Sequence, residues 1–318
     1  MLRPGDRVRL ISPASYPDRA SVDEYLAILD SWGLVGEVAD HALDEWGYMA
    51  GSDQDRLDDV NAAFRDPGVR ALITTRGGAG AYRIAAEVDF NAVRADPKPV
   101  VGFSDITYLH LALAKNCGLG SIHGCLVGPT AQATVRQLLM SVEPITLAAD
   151  PSTVSGAMRC SGGEQRTGEQ QDQGEVRGRV IGGNLTSVAT SVGVHLPMME
   201  GAILFLEDQR LVGLGTVDRQ LTQLISSGAL DGLAGIALGS FEGFRGYRDR
   251  GWTLANVLND RLGPLGVPVL GGLYAGHDLT TTTTTTTDGR PDQTALPLGS
   301  MATLSTTKGT LTIDPIVH

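Results

Sequence analysis

Val100-Val101-Gly102-Phe103-Ser104-Asp105-Ile106-Thr107 is the stretch on which the fold turns. Val100 and Val101 are apolar and β-branched, as the end of a buried strand requires. Gly102 permits a sharp bend. The run from Ile106 to Leu113 then continues as a helix. Ser104 therefore stands at a tight strand-to-helix turn, next to the free N–H groups of a helix N-terminus. A nucleophile and an oxyanion hole can share such a turn. A serine placed there also serves as a plain N-cap. The nucleophile-elbow pattern G-x-S-x-G is met only in part, because Ile106 occupies the position of its last glycine.

Upstream, Arg7-Val8-Arg9-Leu10-Ile11 alternates and turns at Ser12-Pro13, which predicts a first strand. Ser21 with Glu24 has the spacing of a capping box. Val22, Tyr25, Leu26, Leu29 and Trp32 follow at helical spacing, and Gly33 stops the helix. Val35 to Val38 predicts a second strand, and a helix from Ser52 buries Leu57, Val60 and Phe64. The continuous run Ala71 to Thr75 feeds Arg76-Gly77-Gly78-Ala79-Gly80. Strands alternating with helices predict a parallel sheet covered on both faces. Ligands bind such sheets beyond the carboxyl ends of the strands, where Arg76-Gly77-Gly78, Ser104 and His123 all fall. The glycine run either brings N–H groups to a ligand or is a simple tight turn. It matches neither a Walker motif nor G-x-G-x-x-G.

Residues 151–175 are rich in Gly, Gln, Ser, Glu and Asp without any period. That composition predicts a linker over 151–176, between a domain at 1–150 and a second at 177–318. In the second domain Val180-Ile181 leads to Gly182-Gly183-Asn184. Ala202 to Leu206 predicts an apolar strand that ends on Glu207-Asp208. Val217, Leu221, Leu224 and Ile225 share one helical face. Pro268-Val269-Leu270 runs to Gly271-Gly272 and on to Gly276-His277. Thr280 to Thr287 is a polar low-complexity run that predicts a loop. Ala295 to Ile313 predicts closing β-hairpins.

The net charge of −11, with no basic stripe, argues against a nucleic-acid partner. Cys117, Cys125 and Cys160 are too few and too unevenly spaced for a disulfide framework or zinc site, so no metal or cofactor is expected. No signal-peptide stretch and no apolar run of membrane-spanning length is present. A soluble cytoplasmic protein is the expectation. A serine nucleophile also needs a base, and the base needs a group to orient it. His110 lies in an apolar helix and reads as core. His277 follows a glycine-rich strand end, and Glu207 closes an apolar strand. Spacing alone does not link them, because triads are defined by geometry.

Val101 to Thr107 resembles the nucleophile motif of the LD-carboxypeptidase family, serine peptidases with a Ser–Glu–His triad. The resemblance extends to Arg76-Gly77-Gly78-Ala79-Gly80, Gly182-Gly183-Asn184-Leu185, Phe205-Leu206-Glu207-Asp208, Asp218-Arg219, Gly276-His277 and Leu296-Pro297-Leu298-Gly299. It implies Ser104 as nucleophile, His277 as general base and Glu207 as the residue orienting it. The N–H groups of Gly78 and Asp105 would form the oxyanion hole. Arg76, Gly77 and Asn184 are the candidates for substrate contact, Arg76 because a carboxylate-bearing substrate wants a cation near the crevice. The implied fold is α/β: an N-terminal parallel sheet domain (flavodoxin- or glutamine-amidotransferase-like), then a C-terminal α+β domain with a β-rich, barrel-like core. A homodimer is implied as well. This chain departs from the family at Ser191-Val192-Gly193-Val194, at the lengthened Thr run, and at Cys125-Leu126-Val127 inserted before Gly128-Pro129.

Family resemblance implies release of a terminal D-amino acid from a peptidoglycan tetrapeptide during cytoplasmic cell-wall recycling. An amidase of the microcin-immunity type, acting on aminoacyl nucleotides, is the alternative within enzymes. A non-catalytic peptide- or sugar-binding protein is the alternative outside them. No Phe, Tyr or Trp occurs between Tyr108 and Phe205. Stacking a base on an aromatic ring is worth about 1–3 kcal/mol, so the missing ring favours a peptide. Trp46, Tyr48 and Trp252 remain as other sources of one.

Overall fold

The computed structural model describes residues 1–162, 174–277 and 293–316. The Thr280–Thr287 run lies outside the described residues, as does 163–173 within the expected linker. The first half runs β1 (Arg7–Ile11), α1 (Arg19–Ser31), β2 (Val35–Val38), α2 (Asp53–Arg65), β3 (Val69–Thr74), α3 (Ala81–Ile84) and α4 (Phe90–Ala95). It continues through β4 (Val100–Gly102), α5 (Thr107–Cys117), β5 (Ser121–His123), α6 (Pro129–Met140) and β6 (Ile145–Ala148). Helix α1 begins before the expected capping box. Asp18 is its N-cap and accepts from the Ser21 N–H, a bond that fixes the start two residues upstream of Ser21. Helix α2 does begin with a capping box, between Ser52 and Asp55.

The second half runs β7 (Arg159–Ser161), β8 (Glu175–Asn184), α7 (Leu185–Thr190), β9 (Ile203–Gln209), α8 (Leu214–Ser226), β10 (Gly235–Glu242) and α9 (Leu254–Leu262). β11 (Pro268–Gly271), β12 (Leu296–Leu298), β13 (Met301–Ser305) and β14 (Thr310–Ile313) follow.

These strands form two sheets. The first has the order β12-β5-β4-β3-β1-β2, parallel from β2 to β5 with β12 antiparallel on its edge. Its inner strands β3 and β4 are buried on both faces, as their unbroken apolar runs require. The second has the order β6-β14-β13-β8-β9-β10-β11-β7. Its centre, β8 to β11, is parallel, and antiparallel strands extend it on both sides.

The expected barrel-like core is corrected here. Among the described residues the second sheet is open, with β6 and β7 at opposite ends. The reason lies in its centre. Parallel strands need crossover helices, and Leu221, Leu224, Leu258 and Leu262 of α8 and α9 pack with Leu204, Leu206 and Leu238 of the sheet. A sheet so layered with helices has no need to close on itself.

The expected closing hairpins are corrected in part. β13 and β14 pair as a hairpin, but β12 leaves for the first sheet and pairs with β5. Pro297 in β12 lacks an N–H, which an edge position tolerates. The chain thus passes between the sheets three times, from β5 to β6, from β11 to β12 and from β12 to β13.

Candidate active site

Ser104 follows β4 directly and opens a single 3-10 turn, Ser104–Ile106, before α5 begins. Its φ is +62°, the left-handed region that a side chain adopts at a cost of about 1–2 kcal/mol. Strain of this kind persists only where surrounding structure enforces it. Ser104 does not act as a helix cap: neither the turn nor α5 has a side-chain cap. Its Oγ instead lies 2.9 Å from His277 Nε2.

His277 Nδ1 lies 2.6 Å from Glu207 Oε2. The three side chains form one hydrogen-bonded chain drawn from both sheets. Glu207 is on β9, which runs one residue past the expected end at Glu207-Asp208, to Gln209. Its carboxylate is 0% exposed, at the register position opposite Asn184. Gly276 makes the approach possible. Its φ is +131° and a Cβ there would stand 2.8 Å from the Glu207 Cβ, so only glycine brings His277 this close.

Electrostatics favour a chargeable His277. Burial opposes charging the ring, but the Glu207 charge and hydrogen bond outweigh it, with Asp208 and Glu242 adding to them, and the net shift is upward. Asp208 itself is pushed up by burial and then by the neighbouring Glu207. It takes hydrogen bonds from Asn184 Nδ2 at 2.9 Å and Thr186 Oγ1 at 3.2 Å, and so holds the floor of the site.

The glycine turn lies against the nucleophile. A Cβ on Gly77 would stand 2.7 Å from the Ser104 Cβ, so this contact is open to glycine alone. Asp105, next to Ser104, accepts from the Ala81 N–H at 2.7 Å. That bond ties the serine turn to the glycine turn, although burial lifts the Asp105 carboxyl to about 6. Ser15 pins the other side: its N–H donates to Gly77 O and its Oγ accepts from the Ala79 N–H. Ser15 was not singled out from sequence. Its only signal is its place just past β1, at the carboxyl end of a neighbouring strand.

The remaining candidates divide. Gly78, with φ +107°, is on the exposed rim of this turn, as is Arg76, whose Nη1 donates to Tyr16 O at 3.3 Å. Asn184 is 7% exposed, and its amide is already used on Ser187 and Asp208. It caps α7 and supports the site from below. His110, read as core from sequence, is buried and bonded to Gly102 O, and burial drives its ring down to about 3. Among the described residues His41, Asp44 and Asp55 could converge on a metal. Asp44 already holds His41 Nδ1, and Asp55 caps α2. None of the three belongs to the Ser104 chain.

Residues 8–124 match the model of the LD-carboxypeptidase N-terminal domain, and residues 177–304 that of the LD-carboxypeptidase C-terminal domain. The Bacillus subtilis protein named "Probable murein peptide carboxypeptidase" is 32% identical, covering 98% of this chain and 93% of its own. The solved muramoyltetrapeptide carboxypeptidase of Oxalobacter formigenes superposes with a TM-score of 0.76 at 25% identity, over 97% of this chain and 98% of that one. An MccF-like protein of Bacillus anthracis gives 0.80 at 23% identity, over 99% and 98%. With both models matched in order across the chain, this protein belongs to the LD-carboxypeptidase family.

Proposed function

We propose that this protein is a serine carboxypeptidase that hydrolyses an L,D-amide bond and releases the terminal D-amino acid of a peptidoglycan tetrapeptide. The observation that carries the reading is the chain Ser104 Oγ–His277–Glu207, at 2.9 and 2.6 Å, with its serine strained at φ +62°. Ser104 Oγ attacks the amide carbon while His277 Nε2 takes its proton. The N–H groups of Gly78 and Asp105 receive the oxyanion, at about 3–4 kcal/mol per donor. His277 then returns the proton to the leaving amine, and water hydrolyses the acyl-enzyme. Glu207 holds the imidazole with Nδ1 protonated. Arg76, on the rim beside Gly77, takes the substrate carboxylate.

In this reading residues 1–150 carry the nucleophile on a flavodoxin- or glutamine-amidotransferase-like frame. Residues 177–318 bring Glu207 and His277, and 151–176 link the two parts. A cytoplasmic homodimer completes the proposal. Among the described residues no helix is long and apolar enough to cross a membrane.

The base must be neutral to accept the serine proton, and its affinity for protons is raised. Activity is therefore lost as pH falls through a value above the ordinary imidazole pKa of about 6.5. A kcat/KM profile with its acid limb below that value would contradict His277 as the base.

A nucleotide-directed reading has one observation in its favour. Trp46 and Tyr48 are 51% and 59% exposed, in a turn that packs on the glycine run, where a Cβ on Gly80 would meet the Met49 side chain at 3.0 Å. Direct competition between a muramoyl tetrapeptide and an aminoacyl sulfamoyl adenylate separates the two. A tetrapeptide preference in kcat/KM of about tenfold or more is expected. A preference for the adenylate overturns the cell-wall assignment and leaves the serine chemistry standing.

A further inference from the structure

Glu207 spends one carboxylate oxygen on His277. Its other oxygen, Oε1, is buried and has no hydrogen-bond partner among the described residues. An orphaned buried acceptor costs about 1–3 kcal/mol, and more when it is charged. The group facing it is His123, at the end of β5, whose Nε2 stands 3.8 Å from Oε1. The His123 ring is 1% exposed, and neither of its nitrogens has a partner among the described residues. Two orphaned polar groups thus face one another in the floor of the site. Phe205 and Phe103 meet the ring edge-on, with centroids at 5.3 and 6.4 Å. A small cavity lined by Phe103, His123, Gly276 and Ala295 adjoins it.

We propose that His123 is a positioning residue, which donates its Nε2–H to Glu207 Oε1 and so fixes the carboxylate that orients His277. The donation requires an approach about 0.9 Å closer than the separation seen here. The proposal rests on the triad reading above. Burial drives the His123 ring down to about 4 despite Glu207, with His277 adding to the effect. The ring is therefore neutral at pH 7 and carries one N–H. Its titratable neighbours are Glu207 on β9, His277 after β11, His110 on α5 and Cys125 after β5.

With the donor removed, the Glu207–His277 pair holds a proton more tightly. The acid limb then moves to higher pH and less of His277 is available as base.

The test is the rate of Ser104 labelling by a fluorophosphonate, followed against pH, which needs no natural substrate. Ser104→Ala is the control for the triad reading: if it still labels, that reading fails and His123 is not at issue. With the control silent, His123→Leu is expected to label about tenfold more slowly, with its acid limb about one pH unit higher. His123→Gln, which keeps an N–H near the Nε2 position, stays within about threefold of the parent with an unmoved limb. Thermal melting checks that each variant is folded, and His123→Phe replaces the Leu variant should that one fail to fold. A parent-like rate and limb in the apolar variant overturns the proposal. So does an equal loss in the Gln and apolar variants with no movement of the limb, which marks mere packing.

Discussion

Ser104→Ala is expected to abolish amide hydrolysis, a loss on the order of 10⁶-fold in kcat, while the protein folds as before. The size follows from the position of the Oγ. It lies 2.9 Å from His277 Nε2, where it can form an acyl-enzyme, and it caps no helix. What survives is the contribution of the oxyanion donors and substrate binding. The fold tolerates the change, because the lost Oγ–His277 bond is worth about 1 kcal/mol. Ser104→Gly sharpens the test. Glycine accepts φ +62° without strain, so this variant should be equally inactive and melt at or above the Ala variant. Turnover in Ser104→Ala above a tenth of the parent would remove Ser104 as nucleophile.

That turn was legible from sequence because its signals are local. Two β-branched residues, a bend glycine and a helical run all lie within fourteen positions of one another. Partnership was not legible. Whether Ser104 capped a helix or faced a base depended on His277, 173 residues further along the chain. Glu207 shows the same limit. A carboxylate after an apolar run reads as the solvated end of a strand, yet β9 continues through it and its side chain is wholly buried. Only tertiary partners, His277 on one oxygen and His123 facing the other, account for a charge there.

The strand that returns to the first sheet was hidden for another reason. β12 is three residues long and carries a proline. So short an element holds no register information from which its sheet could be chosen. Closure of the second sheet was equally beyond the pattern. Alternating strands such as β13 and β14 suit an open sheet as well as a barrel, and the helices layered on β8 to β11 decide between them. Ser15 was missed because one hydroxyl bonded to a backbone N–H leaves no periodic trace.

His277→Ala is expected to cost nearly as much as Ser104→Ala, and the double variant little more than either. Members of a triad act as a unit: without the base the serine stays protonated, and without the serine the base has nothing to activate. Glu207→Gln keeps the shape but removes the charge that supports a protonated imidazole, and it offers Nδ1 an amide that either accepts or donates. A loss of about 10³- to 10⁴-fold follows, smaller than for the other two. The Gln variant should also lose the upward shift of the base, since the charge and hydrogen bond of Glu207 are what overcome the burial of His277. Its residual activity therefore carries an acid limb displaced to lower pH. Additive losses in the Ser104/His277 double variant would show that the two do not work together. An unmoved limb in Glu207→Gln would take Glu207 out of the scheme and leave Asp208, the only other carboxylate on β9, as the group that supports the charge on His277.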